Sequence, residues 1–359
     1  MQRTPLYEAQ AKLGATFRDV AGWAAAAGFD NTAAEHDAVR TGAAIADTSH
    51  RGRIVARGKD TLDLLNRLST NLVDPLPDGA GQTTVITTGK GRVLDWITVL
   101  PWDERFLLLT SPERRTEVAE WIDMFTFDED TTIEDVTEAT AMVSILGPNA
   151  ESLVEQLLGV PAAALPPLGA VTVSWQGSEA LVARTAPAGQ PGFDVVVPGE
   201  PAEALWDAAL NLGATPIGRH ALEALRIEAR VPRWGAEFTD DNNPLEAGLI
   251  NEVSWTKGCY TGQEVVARLY NYHRIQRFMV AIELPADAEC PPGAVLMADG
   301  SSVGRVTSIS PIAHDGVQEA LASVRSGHAA AGNTLHVGES GPSVQVTWSP
   351  EEAQQGAAA

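Results

Sequence analysis

At 359 residues the chain exceeds the size at which one hydrophobic core keeps growing, so roughly two or three packed lobes are expected. Hydrophobic residues make up 44% and charged residues 20%, as in ordinary globular proteins. A formal net charge of -22 argues against a nucleic-acid backbone as the main partner, because phosphate contacts need clustered Lys and Arg. No apolar run approaches the ~20 residues of a membrane helix, and no basic stretch followed by an apolar core opens the chain. Cys259 and Cys290 match neither a disulfide framework nor a zinc-site spacing. The expectation is a soluble protein of the reducing cytoplasm, with no metal site, nucleic acid or membrane contact.

In chain order, residues 32–40 read as a short helix, with Thr32 as cap and Glu35 three positions on. The block from Thr41 to His50 mixes small residues with Asp47, Ser49 and His50. Three neighbours in sequence seldom align as a nucleophilic triad, so a structural hydrogen-bond cluster is the expectation. From Arg51 the pattern becomes strand, Gly58, then a helix facing inward through Leu62, Leu65 and Leu68. A similar unit returns at 143–158, where superimposing Gly58 on Gly147 places Leu65 on Val154 and Leu68 on Leu157. Strands are expected near 83–88, 92–100 and 105–110. A helix follows, with Ser111 as N-cap, Pro112 at its first position and a face of Val118, Trp121, Ile122 and Phe125. Strands near 171–175, 180–184 and 193–197 and a helix over about 201–212 complete a second lobe. The class is α+β.

Two carboxylates invite explanation. Asp95 interrupts an otherwise apolar strand, so it must face solvent, pair with a base or serve a site. Glu228, in a helix over 218–230, shares the partly buried face of Ala224 and Leu225. It can accept hydrogen bonds from a heterocycle with adjacent N–H donors, or simply bond a nearby backbone group or arginine.

The stretch Lys257-Gly258-Cys259-Tyr260-Thr261-Gly262-Gln263-Glu264 joins a thiol, a cation and a helix start. Thr261 and Glu264 have capping-box spacing, so a helix is expected from Gly262, docked through Val265, Val266 and Leu269. Cys259 then lies just ahead of a helix N-terminus with Lys257 close by, both of which favour a thiolate; the plain alternative is a small buried hydrophobe. Beyond it, short strands over 276–349, with Asp299-Gly300 between two of them, suggest a small β-barrel or sandwich, and 350–359 reads as a disordered tail.

Several of these stretches together resemble the glycine-cleavage T-protein (aminomethyltransferase) superfamily. They are Ala21-Gly22-Trp23, His36 with Ala38 through Ala43, Asp47-Thr48-Ser49-His50, Gly91-Arg92-Val93-Leu94-Asp95, Gly218 through Glu228, and Pro244 through Leu249. The motif KGCYTGQE is closer to one branch, the folate-binding YgfZ-type proteins that assist iron–sulfur protein maturation. The resemblance implies three lobes around a central channel holding tetrahydrofolate: residues 1–275 would form the folate-binding region as two related lobes, and 276–349 a β-barrel closing it. By the same resemblance, Asp95 lies at the pterin's reactive edge and Glu228 accepts the pterin's amino and ring N–H groups. Cys259 is the functional thiol of the branch, and Lys257 and Arg268 are further folate-binding candidates. The first expectation is therefore a tetrahydrofolate-binding factor serving iron–sulfur client proteins through Cys259, with any cluster contact shared, since a cluster takes about four protein ligands. The alternatives are a folate-dependent aminomethyltransferase and a non-enzymatic folate-binding module. Two departures from the T-protein pattern stand out: Trp96 replaces a second consecutive acid, and Ser111 stands near an Asn position.

Overall fold

The computed structural model describes residues 1–351. Of the tail expected over 350–359, residues 352–359 lie outside the described residues. The chain divides into two compact units. The first comprises Met1–Ile86 and Asp95–Leu225; the second comprises Thr87–Leu94 and the chain from Arg226 onward. Residues 226–275, including the cysteine motif, thus group with the barrel rather than with the first unit.

The first unit contains two larger sheets. In one, the strand order is Ala170–Trp175, Ser178–Ala183, Gly192–Pro198, Thr140–Leu146, Ala44–Asp47 and Thr215–Pro216. In the other, it is Gln82–Thr87, Val93–Trp102, Arg105–Thr110, Gly52–Arg57 and Thr132–Asp135. Val55, Leu100 and Leu107 from one sheet and Met142, Leu181 and Val196 from the other share a single buried cluster, so the sheets are joined by apolar packing.

The repeated unit is present twice. Strand Gly52–Arg57 leads through Gly58 into helix Thr61–Leu68, and strand Thr140–Leu146 leads through Gly147 into helix Ala150–Leu158. Both glycines have positive φ, 118° and 107°, and a Cβ would strike the Asp130 carbonyl at the first and the Gly42 and Val39 carbonyls at the second. The matched positions Leu65, Leu68, Val154 and Leu157 are all buried.

The block around Asp47 is a structural cluster. Asp47 accepts from Thr4 Oγ1, Gln10 Nε2 and the Ser49 amide, while Ser49 Oγ bonds the Met142 backbone and not His50. His50 instead faces Arg219, Nε2 to Nη1 3.4 Å. Burial, then the Arg219 charge, push its pKa well below the usual imidazole value.

In the second unit six strands close into a barrel in the order Arg277–Pro285, Val317–Arg325, Ser301–His314, Val295–Ala298, Thr334–Val337 and Ser343–Trp348. The Asp299-Gly300 turn has positive φ at both residues, 49° and 72°, as a two-residue hairpin of type I′ requires. Helix Gln263–Asn271 packs beside it, with Val266 buried and Leu269 against the barrel core.

Candidate active site

Asp95 lies in strand Val93–Trp102 and has no exposed surface. Its carboxylate is held by Ser111, which donates its backbone N–H to Oδ2 at 2.8 Å and its hydroxyl to Oδ1 at 2.7 Å. Burial opposes charging the group more strongly than these bonds and the Arg114 charge favour it, and its pKa is raised from 3.8 to about 7. A carboxyl poised near neutrality in a dry site is suited to exchange a proton with a bound molecule.

Ser111 is the partner of Asp95 that sequence reasoning missed. It was expected to cap a helix, yet helix Arg115–Met124 has Arg114 as its N-cap residue, with no side-chain cap bond. Its carbonyl accepts the Arg114 amide in the preceding turn. Strand register gave no signal for this partner: continuing the pairing of Thr98 with Leu109 would set Ser111 opposite Trp96, on the other face from Asp95, and the contact forms because Ser111 lies beyond the end of strand Arg105–Thr110.

The remaining candidates belong to the second unit. Glu228 ends helix Arg219–Glu228 with its side chain 15% exposed, 4.0 Å from His314 Nε2 on the barrel. Glu237, nine residues on, pairs with Arg226 at 2.8 Å. Lys257 is buried, its ammonium 5.6 Å from the Tyr260 ring centroid, and desolvation lowers its pKa to about 8. Cys259 and Arg268 are exposed, so the reading of Cys259 as a small buried hydrophobe does not hold.

The helix after the motif starts differently from expectation. Its N-cap residue is Gly262 in the left-handed conformation, φ 84°, with no side-chain cap bond, so the Thr261–Glu264 capping box does not form. The reason is tertiary. The Thr261 carbonyl accepts the Thr87 hydroxyl at 2.6 Å, and a Cβ at Gly262 would fall on the Thr88 carbonyl and within 2.9 Å of the Gly91 backbone. Segment 87–94 thereby fixes the loop that carries Cys259. Gly262→Ala is expected to cost about 2 kcal/mol or more through strain and clash, read as a lowered melting temperature.

A family model described as the GCVT N-terminal domain matches residues 6–257. The chain belongs to this family. An aminomethyltransferase of Geobacillus kaustophilus is 35% identical over 315 residues, 86% of each chain. One from Symbiobacterium thermophilum is 34% identical over 353 residues, covering 94% of this chain and 93% of the relative. The crystal structure of the glycine cleavage system aminomethyltransferase T from Bartonella henselae superposes with a TM-score of 0.87 at 22% identity, covering 97% of each chain, which establishes the fold. The GCVT domain match ends at Lys257, so it contains Asp95, Ser111 and Glu228 but stops short of Cys259. These relatives carry the name of the transferase, which moves the weight from the expected iron–sulfur role to its alternative.

Proposed function

We propose that this protein is a tetrahydrofolate-dependent aminomethyltransferase, with Asp95 as the group that exchanges a proton with the folate or its one-carbon unit. The observation that carries the reading is the buried Asp95 carboxyl, held near pH 7 by burial, within a chain of the GCVT family. The residues fit a pterin in kind, since pterins offer N–H donors and carboxylates are acceptors. Two donors converge on Asp95, leaving about two acceptor directions of roughly four, and Glu228 keeps accessible surface. Tetrahydrofolate would supply the nitrogens that accept the one-carbon unit. Asp95 would hold or release a proton beside them, and Glu228 would accept ring N–H groups. Lys257 and Arg268 are proposed as cations for the anionic part of the ligand.

The test is formation of methylene-tetrahydrofolate from an aminomethyl-loaded lipoyl carrier protein. Turnover that falls sharply in Asp95→Asn and persists in Cys259→Ala is expected; no turnover above background in the wild type sinks the reading. A second reading, assistance to iron–sulfur proteins, is favoured by one observation: Cys259 is exposed on a loop fixed just ahead of Gly262 and beyond the GCVT domain match. It requires that deleting the gene lower iron–sulfur enzyme activity and that Cys259→Ala not restore it.

A further inference from the structure

We propose that Ser111 is the positioning residue for Asp95, deciding which carboxylate oxygen carries the exchangeable proton and the pH at which it is exchanged. The inference rests on the reading of Asp95 as the proton-exchanging group. The argument begins with which partners can reverse. The backbone N–H of Ser111 can only donate, so the oxygen it holds is a poor seat for a proton. The Ser111 hydroxyl, 2.7 Å from Oδ1, donates to the carboxylate when Asp95 is ionised and can accept from it when Asp95 is protonated. Oδ2 is bonded by the Ser111 amide, so the proton belongs on Oδ1.

One residue therefore grips both oxygens and fixes the plane of the carboxylate. Arg114, in the turn that Ser111 opens, acts on Asp95 through its charge and favours the ionised form. A hydroxyl bond to a charged oxygen in a dry site is stronger than one to the neutral acid, so the ionised form gains more from Ser111. Serine as a plain helix cap would have none of these consequences, and its side chain makes no such cap.

The experiment is carbon-13 NMR of aspartate carboxyls over about pH 5 to 9, with the Asp95 signal assigned by its loss in Asp95→Asn. In Ser111→Ala the midpoint of Asp95 should rise by about one pH unit, while Ser111→Thr, which keeps a hydroxyl, should stay near the wild type. An unmoved midpoint in Ser111→Ala, or equal displacement in both variants, overturns the proposal. This arm needs no turnover, so an inactive wild type would remove the functional reading and leave Ser111 to be decided by NMR. If the transferase assay succeeds, the pH–rate limb should move with the NMR midpoint; a slower rate with an unmoved limb also overturns the proposal.

Discussion

Asp95→Asn is expected to make the protein more stable and less active, with the stability gain growing as pH rises. A raised folded-state pKa means that the native chain holds a proton the unfolded chain has already released. Wild-type stability therefore falls as pH climbs from about 4, where unfolded Asp ionises, through about 7, where folded Asp95 does. The rise from 3.8 to about 7 corresponds to on the order of 4 kcal/mol. Asparagine does not titrate in this range and keeps an acceptor for the Ser111 amide, so the variant escapes the loss. Denaturant unfolding of the two proteins at pH 5 and pH 8 should show a small gap at the lower pH and a wide one at the higher. A gap that does not open with pH would mean that Asp95 ionises at an ordinary carboxylate value. In the transferase assay the same substitution should lower the rate by about 10²- to 10⁴-fold, the usual range for removing an acid–base group. Stability and activity moving in opposite directions would mark a group kept for function at a cost to the fold.

Much of the fold was legible because it follows from local rules. The two strand–glycine–helix units are set by a chain reversal that excludes a side chain, with apolar residues three apart behind it, and both features lie within a few residues in sequence. The Asp299-Gly300 hairpin is legible for the same reason. What sequence reasoning got wrong were caps, because a cap is decided by whichever neighbour arrives first. Thr32 and Glu35 have capping-box spacing, yet Asn31 caps that helix through the amides of Ala33 and Ala34. Glu35 reaches back to the Phe29 amide at 2.7 Å and across to the Gly218 amide at 2.6 Å, a partner 183 positions away. Thr261 and Ser111 fail as caps for similar reasons, one held through its carbonyl by Thr87, the other drawn to Asp95. The candidate site shows the same division. Asp95 was visible as an acid in an apolar strand, whereas its partner lies just past the end of the paired strand, where register no longer dictates which face a side chain takes.

Glu237 was not singled out from sequence at all, and its replacement should produce the largest stability loss in the second unit. Its carboxylate and the Arg226 guanidinium are both buried, 2.8 Å apart. Oε2 also accepts the Arg233 amide at 3.0 Å, and Oε1 accepts the hydroxyls of Thr307 at 2.8 Å and Ser308 at 2.6 Å. Two consecutive residues of a regular strand point to opposite faces. Here the pairing of Ser301–His314 with Val317–Arg325 slips between Val306 and Ser308, and the bulge lets both hydroxyls meet one oxygen. Arg226 donates in addition to the Val231 carbonyl and to Ser308 Oγ. Glu237→Gln would leave that guanidinium buried beside a neutral amide, a loss of about 3 to 5 kcal/mol. Arg226→Met alone should cost a similar amount by stranding the carboxylate. The two together should cost clearly less than their sum, because neither charge is then left uncompensated. A chain of two compact units need not unfold in one step, so the measurement is amide hydrogen exchange in strand Ser301–His314 for the wild type, both single variants and the double variant. Additive losses would mean that the two groups stabilise the barrel separately, through their hydroxyl and carbonyl partners, and not as a pair.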